Sequence, residues 1–416
     1  MKGYLSKLQR NARVCTSFFP LWAIPYTFYF FYLSLYLKEA GVTDTQIGNI
    51  MVAANGAALV SSFIAAPLVD RLGRRWATLL FDVVSSALPV LLFLLWPRYE
   101  VALIAMALTG LNRIMSIGYY LLMIEDASEE NSVVAMNLFN IILVAAGLLT
   151  PLAGILVLRQ GVIEAERIFL LVAFISMTGQ AIGRHLLLTE TPTGLAVQRK
   201  MREEGLPRNP SRYLLVYRNL FSSLKGNRAT QNAMAINALI YVYYSLGTTA
   251  SLLFTPFFID FARLSPSQVS VVGAVYALGT LTAMVVVNPL LKRSNLTAFS
   301  EAASLLSLIG FALLLLLPKG RLSTSLIAVL LIALSYGVLK TCADALLAVE
   351  SSGEERSAIY AASSLISSIL GIVFIKVTSM LYAHHAGFLI IMCALLLAAV
   401  LILSITAKGG RKNGVL

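Results

Sequence analysis

Residues 46–75 read QIGNIMVAANGAALVSSFIAAPLVDRLGRR. From Gln46 to Val69 there is no charged side chain, and apolar residues do not alternate as they would along a strand. A helix of this length, rising about 1.5 Å per residue, crosses a hydrocarbon layer about 30 Å thick. Lipid offers no partner for backbone amides, so an apolar run of this kind has to satisfy its own backbone as a helix. The stretch then changes character within six residues. Asp70, Arg71, Arg74 and Arg75 surround Gly73, which gives a charged, sharply turning loop.

The same unit recurs along the chain. Apolar spans are expected at 14–37, 46–69, 76–96, 99–124, 133–157, 167–188, 231–259, 268–291, 297–317, 322–349, 357–383 and 386–407. Composition agrees: 58% of the 416 residues are hydrophobic and only 12% are charged, with a mean hydropathy of +0.81. That is too little charge to cover a water-soluble domain of this size. The expected fold is an all-α polytopic membrane protein of about twelve transmembrane helices. The basic first residues followed by an apolar run resemble a signal peptide. The run is too long for that, and it is read as the first span.

A net charge of +12 raises the question of nucleic acid. The basic residues cluster before the first span, after the second, in the central loop, after the eighth and after the last. With an even number of spans these places share one side. About 22 Lys and Arg fall there, against about seven in the opposite loops. This is the positive-inside pattern, and it places both termini in the cytoplasm with no nucleic-acid partner. Cys15, Cys342 and Cys393 are read as reduced packing residues.

Two matches relate the halves. Gln46 and the residues around it (Thr45-Gln46-Ile47) match Ser267-Gln268-Val269 at an offset of 268 − 46 = 222, and Pro67-Leu68 matches Pro289-Leu290 at the same offset. Glu125-Asp126 through Ser132 matches Glu350-Ser351 through Ser357 at an offset of 350 − 125 = 225. Duplication explains both. The expected division is a six-helix bundle over 1–189, a cytoplasmic linker over 190–230, and a second six-helix bundle over 231–416, the two being pseudo-symmetric. Within the linker, Ser211–Lys225 reads either as an interfacial helix or as irregular chain.

The stretch from Ala66 to Arg75 resembles the signature of the major facilitator superfamily, in which a Gly is followed four residues later by Asp-Arg-x-Gly-Arg-Arg. Here Ala66 stands for that first Gly, a small-for-small exchange. Together with six plus six spans and a long middle loop, the resemblance extends over nearly the whole chain and implies the major facilitator fold. It also implies a conformational latch on the cytoplasmic side, formed by Asp70, Arg71, Gly73, Arg74 and Arg75 with Glu125 or Asp126. Asp82 is assigned to the same group. Arg113 with Gly118 partly matches a pattern of proton antiporters, and Gly147–Gly154 partly matches one of drug antiporters. The first span carries no acid, unlike many proton-coupled members.

Ionisable residues deep in lipid cost about 2.5–3.5 kcal/mol or more and by default face a cavity. Arg113, Lys340 and Lys376 qualify. Asp344 lies four residues after Lys340, on the same helix face. In the superfamily the first, fourth, seventh and tenth spans line the cavity. The expected substrate-binding set is therefore Arg113, Lys340, Asn112, Tyr120, Tyr26, Tyr29, Asn237, Tyr241 and Tyr244, with Asp344 as the coupling residue. The bland alternative is a closed Lys340–Asp344 pair and aromatic residues that merely pack. The expected function is secondary active transport, by alternating access, of a small organic solute, anionic or zwitterionic, with proton coupling left open. Efflux of hydrophobic compounds is the alternative, and a transport-inactive receptor is the alternative of another class. No P-loop, nucleophile elbow or zinc spacing is found, and the paired His384-His385 is read as solvated. The expectation is no enzyme, no cofactor, no metal, a monomer, lipid contact, and a prokaryotic inner-membrane location.

Overall fold

The computed structural model describes residues 8–125, 129–204, 228–316, 318–350 and 356–413. Asp126, most of the matched segment after Glu350, and the Ser211–Lys225 segment lie outside them. Every regular element among the described residues is helical. Contacts divide the chain into two units, Met1–Pro207 and Arg208–Leu416.

In the first unit α1 is Arg10–Glu39, α2 Asp44–Leu72, α3 Arg74–Leu95 and α4 Tyr99–Ile124. Next come α5, Glu129–Ala146, and α6, Thr150–Leu187. A last helix, α7, is Pro192–Glu204. The sequence reading left 158–166 as a loop between two spans. The break is there but is shorter than expected: helix continues to either side of Gly161, whose non-helical φ of 80° and ψ of 169° divide α6 into two segments and suit a residue without Cβ.

The second unit contains α8, Arg228–Gly247, and α9, Phe254–Asp260. Then follow α10, Pro266–Leu290, α11, Leu296–Leu316, and α12, Leu322–Glu350. The unit ends with α13, Arg356–His384, and α14, Phe388–Asn413. A single seventh span over 231–259 was expected, but it breaks after Gly247. Hydroxyls there compete for the backbone: Thr248 bonds both Tyr244 O and Ala250 N, at 2.8 and 3.2 Å, and Ser251 Oγ accepts from Leu253 N at 3.2 Å.

Ten helical segments among the described residues are long and apolar enough to cross a membrane, one of them running from α5 through the Gly161 turn to the end of α6. Their outward faces are apolar. Leu158, Leu186 and Leu316 are 73%, 70% and 82% exposed, an arrangement that lipid tolerates and water does not. The inward faces carry small hydroxyl residues at close helix contacts, such as Ser300 and Ser404, 3.0 Å apart on α11 and α14.

The duplication is also visible in helix capping. Thr43 opens α2 with a reciprocal box: its side chain accepts from Gln46 N at 3.3 Å, and its own N–H donates to Gln46 Oε1 at 2.9 Å. Ser265 and Gln268 open α10 with the same two bonds at the same two lengths. The offset is again 265 − 43 = 222. The short match around Gln46 is therefore the trace of a helix start that both units need.

Candidate functional site

Arg74 starts α3 and is buried. Gly73 before it has φ 84° and ψ 151°, which turns the chain between α2 and α3 within one residue. This places the guanidinium between two acids. Nη1 meets Asp70 Oδ1 at 3.1 Å, and Nη2 meets Glu125 Oε1, at the end of α4, at 3.0 Å. Arg71 is exposed, and its carbonyl accepts from Gln198 at 3.2 Å. The backbone N–H of Arg75 donates to Glu190 at 3.0 Å, and its Nε donates to the carbonyl of His185 at 3.0 Å.

Three members of this group were missed in the sequence: Glu190, Thr191 and Gln198. The Thr191 hydroxyl donates to the second oxygen of Glu125 and also accepts from Gly194 N at 2.9 Å, capping α7. Thr191-Pro192 is a readable helix start, an N-cap followed by Pro at the first helical position. That α7 then returns to the α2–α3 turn is not readable from it.

Asp82 corrects an expectation. It does not join Arg74, because its carboxylate is taken by α6: Arg184 at 2.8 Å and Gln180 at 2.5 Å, with Ser86 at 3.1 Å on its own helix. Arg184 also sits over the Tyr119 ring, 4.8 Å from its centre. Tyr119 donates to the carbonyl of Cys15 at 3.1 Å, and Trp22 donates to Ser86 at 3.2 Å. One buried ion pair thus ties α1, α3, α4 and α6 together. A π-helical turn, Val83–Ala87, directly follows Asp82.

Arg113 is exposed on α4 and lines an open cleft of about 260 Å³, with Asn55, Thr109, Asn112 and Ser116 among its walls. Asn112 accepts from Ser116 at 3.0 Å. The aromatic candidates of the first unit lie in stacks. Tyr26 is parallel to Trp22 at 4.5 Å and edge-on to Tyr29 at 5.6 Å. Tyr29 is buried. Tyr120 lies against Tyr119 and Phe139.

In the second unit Lys340 pairs with Asp344, both about half exposed. Asn237 on α8 donates to the other oxygen of Asp344 at 3.2 Å and accepts from Ser363 of α13 at 3.2 Å. The i, i+4 pair was legible, and the amide that completes it from another helix was not. Tyr244 stacks on Tyr336 at 6.1 Å, while Tyr241 and Lys376 are half-buried. His385 accepts from Gly387 N at 3.1 Å and packs edge-on to Phe261. The three cysteines are buried and free.

A family model described as the Major Facilitator Superfamily matches residues 18–375. The chain belongs to this superfamily. It is accordingly an integral, multi-pass membrane transporter, built to bind a small-molecule substrate. No curated protein matches it. Among solved structures, a POT family transporter in complex with a thioalcohol-conjugated peptide is similar at a TM-score of 0.72, with 13% identity over 99% of each chain. A mutant of the nucleoside transporter NupG is similar at 0.70, with 14% identity over 96% of this chain and 99% of that one. A bacterial metal transporter is similar at 0.66, with 13% identity over 97% of this chain and 99% of that one. At such identities the likeness concerns the fold.

Proposed function

We propose that this superfamily member is a secondary active transporter, working by alternating access, for a small organic solute with an anionic group. The observation that carries this reading is Arg113, a cation on a membrane-spanning helix, held at an open cleft among amides and hydroxyls. A guanidinium there is costly in lipid and useful to a carboxylate or phosphate, which it can grip through two parallel hydrogen bonds. The similar structures are described with a metal, a nucleoside and a peptide, so the fold leaves solute choice to side chains.

Lys340 and Asp344 favour a zwitterion as a second reading, because the pair offers one charge of each sign beside Asn237. Asp344 would then also be the coupling carboxylate. Tyr26, Tyr29, Tyr120, Tyr241, Tyr244 and Asn112 set the shape of the site. The Asp70–Arg74–Glu125 group acts as the cytoplasmic latch, released when the two bundles rock. The bundles are 1–189 and 231–416, joined by the linker 190–230. The protein works as a monomer in the inner membrane with both termini in the cytoplasm.

The test is a thermal-shift screen of detergent-purified protein against anionic, zwitterionic, neutral and cationic solutes, with Arg113→Gln and Lys340→Gln alongside. Binding to the folded state alone raises the melting midpoint by mass action. One anionic or zwitterionic class raises the midpoint of the wild type and not that of Arg113→Gln. A response confined to lipophilic cations, or one that Arg113→Gln retains, replaces this reading with efflux of hydrophobic compounds.

A further inference from the structure

Glu166 lies on α6, five residues beyond the Gly161 turn. It is 0% exposed. Neither carboxylate oxygen has a hydrogen-bond partner among the described residues. The same helix shows how differently a buried charge can be treated. Arg184, near the other end of α6, is answered by Asp82 at 2.8 Å, and Asp82 collects two further donors.

The groups that face Glu166 offer no compensating charge. α1 brings Tyr29 and Tyr36 within electrostatic reach. On the same pair of helices Phe28 and Tyr32 pack their rings on Phe169 of α6. The second half of α3, Leu88–Leu95, contains no titratable residue. On α6 itself Arg167 turns to Glu164, at 2.8 Å, and to Tyr36. Lys38, at the end of α1, pairs with Asp44 at 3.0 Å. An ionised carboxylate with no donor and no counter-ion is among the costliest groups to bury, whereas the neutral acid is comparable to any buried polar group.

We propose that Glu166 is a proton-binding site, occupied in this conformation and able to release its proton only when α1 and α6 separate enough to admit water. It is distinct from Asp344, which is half exposed in the other unit. The site is within electrostatic reach of Tyr29, which is edge-on to Tyr26, so its occupancy bears on the position of the helix that carries the aromatic candidates. Use of this proton in coupling rests on the transport reading above. The occupancy itself does not.

Infrared spectroscopy of the full-length protein in lipid, titrated from mildly acidic to mildly alkaline, tests the proposal. Wild type shows a protonated-carboxyl C=O band at neutral pH that is missing in Glu166→Gln and retained in Glu164→Gln. No such band at neutral pH, or an identical one in Glu166→Gln, overturns the proposal. Gln is close in shape to the neutral acid, so the variant should fold. If it does not, Glu166→Asp replaces it, and its band must move in frequency; an unmoved band counts against the site. Failure of solute binding at Arg113 leaves this band in place, so the two readings fail separately.

Discussion

The turn after α2 and the turn after α10 come from one duplicated sequence, yet they are held by different physics. In the first unit Gly73 turns the chain, and the buried Arg74 joins Asp70 and Glu125. At the offset of 222, Gly73 corresponds to Asn295 and Arg74 to Leu296. Asn295 closes its turn with neutral bonds, accepting from Lys292 N at 2.7 Å and donating to Leu290 O at 3.0 Å, while Leu296 is buried as an apolar side chain. One copy spends its turn on a charge network that also recruits Glu190 and Thr191, and the other is a packed corner. The latch proposed above, which would have to open and close, suits charged partners, which exchange each other for water. Packed apolar groups have no such substitute.

Breaking the charged turn has the largest expected effect. Arg74→Ala leaves Asp70 and Glu125 facing each other, with Glu125 nearly buried, and costs about 3 kcal/mol. A thermal melt in detergent reads this as a clear drop in midpoint, and an unchanged midpoint removes the network from the account. Leu296→Ala costs about 2 kcal/mol through the cavity it leaves, and the loss does not vary with salt. Salt dependence there would mean that the second turn also works through charge.

Thr43→Ala and Ser265→Ala sharpen what the two units still share. Each removes one capping bond of the same length, so each costs about 1 kcal/mol, and equally. Unequal losses would show that the two helix starts have diverged in use. Gln198→Ala is the smallest change. Its bond to Arg71 O is exposed, so only a few tenths of a kcal/mol are lost. Hydrogen exchange of α7 measures it, with faster exchange expected in the variant and none if α7 is held by other contacts.

What the sequence made legible follows from the range of each interaction. Apolar runs and the Lys340–Asp344 pair are local patterns, and each can be read from spacing alone. Asp70 and Arg74 were reached through the signature, and Glu125 through the acids that follow the fourth span. Asp82–Arg184, Arg75–Glu190 and Asn237–Asp344 join residues about a hundred positions apart, and no periodicity links them. Glu166 was passed over for a related reason. It fell just outside an expected span, in the segment left as a loop, whereas the helix that resumes after Gly161 already includes it and carries it inside.

On the proposal above, Arg113 belongs to a watered solute site and not to a surface turned toward lipid. Ser116 lines the same cleft, one turn further along α4. The direct measurement is labelling of Ser116→Cys in membranes with a hydrophilic, membrane-impermeant maleimide, the native cysteines being buried. Rapid labelling is expected, slowed by the solute class found in the thermal screen. A position that reacts only with lipophilic reagents would place the cleft against lipid and contradict the account.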